Sequence, residues 1–397
     1  MHFSSLSQRL SESATIAMAQ KARELKNAGK DVIALSLGEP DFDTPEHIKK
    51  AAKNALHQGH TKYTPIAGVL ELREAICNKL LRENNLSYQS DQILVSSGAK
   101  QSINQLILTL VDQGDEVIIP TPYWVSYIEM VRMAGGTPIV IETEAKNDFV
   151  PSITQFADKI GPNTKAILFS TPANPTGTVY PKTLLEDLSD LLEQYPVCHV
   201  ISDEIYEHIL YEGKHLSIAS VGNLFQKTIT VNGMSKGFAM TGWRIGYMAG
   251  PTEIIGACTK LQGQVTSGAN SIAQYASIAA LNQSLDATVQ MKNAFRKRRD
   301  FVVEKMNQWD GIHINPPKGA FYVFPDISYY LNTHFENRKI NNSSDLAMYL
   351  LEEALVATVA GTPFGYPNGL RISYAAGMED LEKAMHRIEK ALQQLKK

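Results

Sequence analysis

Residues 91–120, "DQILVSSGAKQSINQLILTLVDQGDEVIIP", constrain the fold more than any other stretch. They read as an apolar strand, a turn of small residues, a helix stopped at Gly114, and a second apolar strand. Two strands joined through a helix run parallel, because the crossover carries the chain back to the starting edge of the sheet. The motif recurs in pieces. "TKAILFSTPANPTG" is a buried strand running into a Pro/Asn/Gly turn, and "CHVISDEIYEHI", "KTITVNGMSK" and "GWRIGYMAG" are three more strands. "HIKKAAKNALHQG" reads as a helix closed by Gly59. Strands alternating with helices predict an α/β chain with a largely parallel or mixed sheet.

The tail breaks the alternation. In "MEDLEKAMHRIEKALQQLKK", Leu381, Met385, Ile388, Leu392 and Leu395 recur at steps of four and three, the period of an amphipathic helix packed on something else. With 397 residues, and roughly 100–200 residues per domain as a guide, the chain is expected to form a large sheet domain over residues 48–295. A smaller one would combine residues 1–47 with 296–397.

Charge and composition exclude several classes of function. The net charge of −3 gives no footprint for nucleic acid, and the run Arg296-Lys297-Arg298-Arg299 reads as a solvated helix face. Cys77, Cys198 and Cys258 are too widely spaced for a metal pair or a disulfide ladder. No metal is expected, and three reduced thiols fit a cytoplasmic protein. "MHFSSLSQRLSESATIAM" lacks a basic segment followed by an apolar core, so no signal peptide is expected. No run of about 18 apolar residues predicts a membrane span.

The polar residues of interest stand where strands end, the edge at which open α/β sheets carry ligands. Ser97, Gly98 and Ala99 follow "QILV" and open a helix, a turn able to present backbone N–H groups to a phosphate. Arg244 offers a fork of donors to the same anion. Asn174, Asp203 with Tyr206, and Lys236 follow three further strands. Taken singly, Asp203 reads equally as a helix cap or an ion-paired carboxylate, and Lys236 as a surface lysine. Together, a nucleophilic lysine, a carboxylate for a pyridinium nitrogen and a phosphate cup are what pyridoxal 5′-phosphate requires.

"SLGEPDFDTPEHI", "KYTPIAGVLELREAI", "PYWVSYIEM", "NPTG", "SDEIYEHILYEG", "SKGFAMTGWRIGY" and "RISYA" resemble the class I aminotransferases of pyridoxal-phosphate fold type I. The resemblance runs from about residue 11 to 390 and is strongest to the bacterial and plastid aspartate aminotransferase branch, several of whose members accept prephenate. It implies a three-layer α/β/α large domain with a mostly parallel mixed sheet, a smaller α/β domain, and a homodimer. Lys236 would be the Schiff-base lysine and proton shuttle. Asp203 would pair with the pyridine nitrogen, Tyr206 and Asn174 with the ring oxygen, and Trp124 would stack on the ring. Gly98, Ala99 and Arg244 would hold the phosphate, joined by Tyr63 of the neighbouring subunit. Arg371, Gly38, Asn174 and Trp124 would bind the substrate, with Arg371 on the α-carboxylate. Lys100 would take a distal carboxylate, and Thr15 stands where prephenate-using members carry a threonine. Trp124 also reads as a core tryptophan, Tyr63 as a loop tyrosine, Gly38 as a turn glycine, Lys100 as a solvated lysine and Thr15 as an ordinary helix residue. Many relatives carry Ser three positions before the lysine; this chain has Gly233, which leaves Ser235 as the replacement.

The activity implied is transfer of the amino group of L-aspartate to 2-oxoglutarate, with prephenate as a further acceptor. A carbon–sulfur β-lyase or an aromatic aminotransferase on the same fold is the rival, and Lys100 favours dicarboxylates over it. A non-catalytic regulator would need a DNA-binding domain, for which the residues before "SLGEPDF" leave no room.

Overall fold

A computed structural model describes residues 4–314 and 316–397, so the first three residues of the expected N-terminal segment lie outside the description. Its centre is a sheet of seven strands. They are β1 (Ile93–Ser96), β2 (Glu116–Pro120), β3 (Thr137–Ile141), β4 (Thr164–Ser170), β5 (His199–Asp203), β6 (Thr228–Gly233) and β7 (Gly246–Ala249). Their spatial order is β1-β7-β6-β5-β4-β2-β3. The β6-β5-β4-β2-β3 run is parallel throughout, and β7 is antiparallel to both neighbours.

Alternation along each strand makes the layers. Val117, Ile119, Leu168 and Ile201 pack with the helices Ala99–Leu110, Ser126–Ala134 and Thr252–Val265 on one face. Ile118, Ile167, Phe169 and Val200 pack with Phe156 and the leucines of Lys182–Leu192 on the other. Apolar residues on both faces are the pattern of a parallel sheet covered by helices, and the arrangement is the three-layer α/β/α fold expected.

A second core gathers the C-terminal third. A three-stranded antiparallel sheet is formed by β8 (Tyr322–Val323), β9 (Val359–Ala360) and β10 (Leu370–Ser373) in the order β9-β10-β8. The helix Met378–Gln393 buries Leu381, Met385, Ile388 and Leu392 against this core, with Leu395 partly buried beside it. Each such side chain contributes on the order of 1.5–3 kcal/mol relative to exposure. One helix, Asp286–Met306, runs without a break through residue 295. "GWRIGYMAG" is strand only from Gly246. Residues Thr241–Trp243 form a short 3₁₀ turn, and Arg244 takes a left-handed conformation (φ 56°).

Candidate active site

Register brings the strand ends level. Ser170, Asp203 and Val231 lie abreast on β4, β5 and β6, and Gly233, Gly246 and Ser96 on β6, β7 and β1. The loops that follow β1, β4, β5 and β6, and the one that precedes β7, therefore leave the same edge. There they line a cavity of ≈ 370 Å³. Of the residues expected to bind cofactor or substrate, Thr15, Gly38, Ala99, Lys100, Trp124, Asn174, Asp203, Tyr206, Ser235, Lys236, Arg244 and Arg371 all line it. Gly98 lies directly under Arg244, since a Cβ on it would overlap the guanidinium. Tyr63 is not among the lining residues and is 97% exposed.

The phosphate-type turn is shaped by missing side chains. Gly98 caps the helix Ala99–Leu110 with φ +90°, a conformation that favours glycine. Arg244 donates to Thr241 O at 3.0 Å and Ser97 O at 3.3 Å, which leaves its fork across this helix N-terminus. The glycine at 233 has a steric cause. A Cβ there would meet Ile245 O at 2.8 Å and Gly246 Cα at 2.9 Å, while one on Gly246 would overlap the Gly98–Ala99 peptide. A side chain at 233 would press on this backbone, and Ser235 lines the cavity.

Lys236 donates its Nζ to Gly38 O and, among the described residues, has no carboxylate partner. Burial pushes its amine down to about 8; Glu39 opposes this, and the charges of Arg371 and Arg244 add to it. Asp203, at the end of β5, is buried and, among the described residues, forms no ion pair. Burial raises its carboxyl to about 6, against hydrogen bonds from Tyr127 Oη at 2.7 Å and Ile205 N at 3.2 Å. A buried carboxylate with only neutral donors is suited to a cationic N–H brought in by a ligand. Arg371 is held by Asn174 Oδ1 at 3.0 Å and Ser36 O at 2.6 Å, and its buried Nε has no partner among the described residues. An orphaned donor on a fixed guanidinium suits a carboxylate guest. At the rim Lys100 places Nζ 4.9 Å from the Trp124 ring, and burial, then the charge of Arg244, lower its pKa.

Gly38 is glycine because of what approaches it: a Cβ there would overlap the Tyr322 hydroxyl. Two residues of the site escaped the sequence reading. Tyr127 sits one helical turn beyond Trp124 in "PYWVSYIEM", edge-on to it at 5.5 Å. Tyr322 lies in the apolar run "AFYVF"; its hydroxyl is 2.8 Å from that of Tyr206. Trp243 also gains a role, donating Nε1 to Thr44 Oγ1 at 2.9 Å and so fastening the segment after Gly38. Outside the cavity, two trios, Glu83/Glu207/His208 and Glu204/Glu207/His215, bring carboxylate and imidazole atoms together. Their carboxylates are already engaged by Lys79, Asn84, Asn232, Ser202 and Ser217.

A phosphate seat, a depressed lysine, a buried carboxylate and a fixed arginine at one sheet edge fit pyridoxal phosphate and an amino acid carboxylate. Comparison with known proteins agrees. The family described as aminotransferase class I and II matches residues 30–388. A bifunctional aspartate and glutamate/aspartate-prephenate aminotransferase of Petunia hybrida is 48% identical over 97% of this chain and 81% of its own length. The aspartate aminotransferase structure from Rhizobium meliloti superimposes with a TM-score of 0.96 at 41% identity, covering 100% of both chains. That of the Thermus thermophilus enzyme with maleate gives 0.93 at 44% identity, over 98% of this chain and 100% of the other. The chain belongs to the class I and II aminotransferases. It is an enzyme, and the family implies pyridoxal phosphate as its cofactor. Among the described residues no helix is long and apolar enough to cross a membrane.

Proposed function

We propose that the chain moves the amino group of L-aspartate to 2-oxoglutarate in two half-reactions, and takes prephenate as a second acceptor. The observation that carries this reading is a pair of cations, the buried Arg371 and the rim Lys100, lining one cavity with Lys236. Aspartate, 2-oxoglutarate and prephenate each carry two carboxylates, so a site with two cations suits all three. Relatives named for aspartate and for aspartate/prephenate at 44–48% identity support it.

When bound, pyridoxal phosphate supplies an aldehyde carbon for the amino group and a ring that draws off the electron pair left on Cα. The protein does the rest. Gly98, Ala99, Ser235 and Arg244 hold the phosphate. The Asp203 carboxylate keeps a proton on the ring nitrogen, and Tyr206 and Asn174 hydrogen-bond the ring oxygen. Trp124 covers the ring face. Arg371 grips the α-carboxylate with help from Gly38, and Lys100 takes the distal one beside Thr15. Lys236 would anchor the cofactor, and its amine, lowered to about 8 by burial, would carry the proton between Cα and the cofactor's aldehyde carbon.

The same reading includes a homodimer in the cytoplasm. Tyr63, almost wholly exposed, would complete the phosphate seat of the partner subunit. An apolar groove of ≈ 870 Å³ lined by Leu10, Tyr123, Ile128 and Val265 adjoins the site and supports a covering copy. The three cysteines are unpaired, two of them buried, which supports a reducing compartment. The large and small domains would be residues 48–295 and 1–47 with 296–397, the helix Asp286–Met306 bracing both.

The test is a half-reaction. L-Aspartate added to loaded enzyme without keto acid should release stoichiometric oxaloacetate. Pyruvate and ammonia from cystathionine instead would overturn the reading in favour of a β-lyase. Ranking kcat/KM for aspartate, glutamate and aromatic donors, with 2-oxoglutarate and prephenate as acceptors, then sets the substrate class.

A further inference from the structure

We infer that Tyr322 is a positioning residue whose ring backs the carboxylate grip of Arg371 and whose hydroxyl donates to the hydroxyl of Tyr206, so that the two halves of the site are set together. The inference rests on the reading above that Tyr206 serves the cofactor's ring oxygen.

Tyr322 opens β8 and pairs with Ser373, two residues beyond Arg371 on β10. It is buried, and the Arg371 guanidinium lies 4.7 Å from its ring centroid, with the Phe364 ring 5.1 Å from the same guanidinium. Aromatic faces hold a guanidinium in plane without consuming its N–H donors, which leaves them for a carboxylate. The hydroxyl of Tyr322 leaves the small sheet and reaches Tyr206, on the loop after β5, at 2.8 Å with the rings 81° apart. It also occupies the space a side chain at Gly38 would need. One side chain therefore touches the substrate arginine, the cofactor tyrosine and the N-terminal segment.

The direction of the hydroxyl pair follows from proton counting. A phenol has one proton to give and can still accept. Among the described residues neither hydroxyl has another partner. If Tyr206 spends its proton on the ring oxygen, it must accept from Tyr322. Donation by Tyr322 polarises the Tyr206 O–H and makes it the stronger donor. Arg371, Asp203 and Lys236 are the charged groups that face this pair. A strong donor to the ring oxygen disperses that oxygen's negative charge. It thereby loosens the proton on the nitrogen bonded to the cofactor's aldehyde carbon, and the visible absorption of loaded protein titrates at lower pH.

The experiment compares Tyr322→Phe, Tyr322→Leu and Tyr206→Phe, loaded with pyridoxal phosphate. It reads the pH midpoint of the visible absorption and the Kd of succinate, an unreactive dicarboxylate. Tyr322→Phe should raise the midpoint by on the order of half a pH unit or more. Its succinate Kd should stay within about twofold of the parent, because the ring face remains, while Tyr322→Leu should lose about tenfold. Tyr206→Phe should raise the midpoint further. If Tyr206→Phe moves the midpoint and Tyr322→Phe does not, the role of Tyr322 is overturned and that of Tyr206 stands. If neither moves it, Tyr206 does not serve the ring oxygen, and both readings fall. Equal loss of succinate in Tyr322→Phe and Tyr322→Leu would overturn the division of labour between ring and hydroxyl. Should Tyr322→Leu fail to fold, the isosteric Tyr322→Phe still decides the central claim.

Discussion

The chain sets two lysines, Lys79 buried and Lys236 partly buried, near two carboxylates that stand only four residues apart, and it treats the pairs in opposite ways. Lys79 and Glu207 are joined. Glu207 takes Lys79, Asn232 Nδ2 at 2.8 Å and Asn84 Nδ2 at 3.0 Å, and Lys79 also reaches Asn84 Oδ1 at 2.7 Å. Burial works to raise the Glu207 carboxyl, but the charge of Lys79, with those of His208 and His215, holds it well below the usual carboxylate range. Lys236 and Asp203 are kept apart. One amine is pushed down to about 8 and one carboxyl up to about 6, each chiefly by burial. Joined charges fasten the 203–208 segment to the helix Leu70–Asn84; separated ones wait for a ligand that brings the missing charges. Perturbation toward the neutral form, in a cavity, is what distinguishes a working pair from a structural one.

Four experiments break or sharpen that contrast. Glu207→Gln takes the nearer carboxylate from the buried Lys79 and leaves Glu83, at 3.5 Å, as its remaining ion-pair partner. It should cost about 1–3 kcal/mol of stability, read by denaturant unfolding, with kcat of the surviving enzyme within a few fold of the parent. A comparable loss of kcat without destabilisation would erase the distinction. Asp203→Asn should do the reverse and lower turnover on the order of 10²–10³-fold. Its cofactor-free form should be the more stable one above pH 6. Because the folded pKa lies above the usual 3.8, the native carboxyl keeps a proton that the unfolded chain has released. Stability of the cofactor-free parent should therefore fall as pH rises from about 4 to 6, by up to roughly 3 kcal/mol. A flat profile there in the parent would contradict the unpaired reading of Asp203.

Lys100→Ala should reduce kcat/KM for dicarboxylic donors about 10- to 100-fold more than for a monocarboxylic one, the worth of a charge-assisted contact. Equal losses across donors would remove Lys100 from the distal carboxylate. The smallest effect is a titration. In cofactor-free protein, acetylation of Lys236 followed by mass spectrometry should be half-maximal near pH 8, with the amine protonated below and reactive above. A midpoint near 10.5 would show an ordinary lysine.

The same contrast explains what could be seen in the amino-acid order. Alternating strand and helix patterns and the period of the tail helix were legible because each repeats over many residues; the stop expected at Gly114 falls earlier, at Leu110, and Gly114 lies in the turn that follows. The strand-end residues Asn174, Asp203 and Lys236 were legible as a set because parallel strands deliver their C-terminal ends to one edge. The resemblance named their partners. Tyr127 and Tyr322 were not legible, since a buried tyrosine in an apolar run has the same local signature whether its hydroxyl serves a carboxylate, another phenol or nothing. The Lys79–Glu207 link spans 128 positions, and no local pattern announces it. Gly233 looked like a departure in phosphate binding. Its cause is the backbone of β7 pressed against it, which only the packed structure reveals.

That packing sets a thickness. Gly233, Gly246 and Gly98 succeed one another across β6, β7 and the turn after β1 as a seam with no side chains, so the depth of the anion's seat is fixed by peptide planes in contact. Such a seam has no adjustable part. A saturation library at these three positions should return almost no active members, although none of the three contributes a side chain. A designer reshaping this pocket for another substrate should leave the seam untouched and work on lining residues whose side chains enter the cavity, such as Lys100, Thr15 and Leu37.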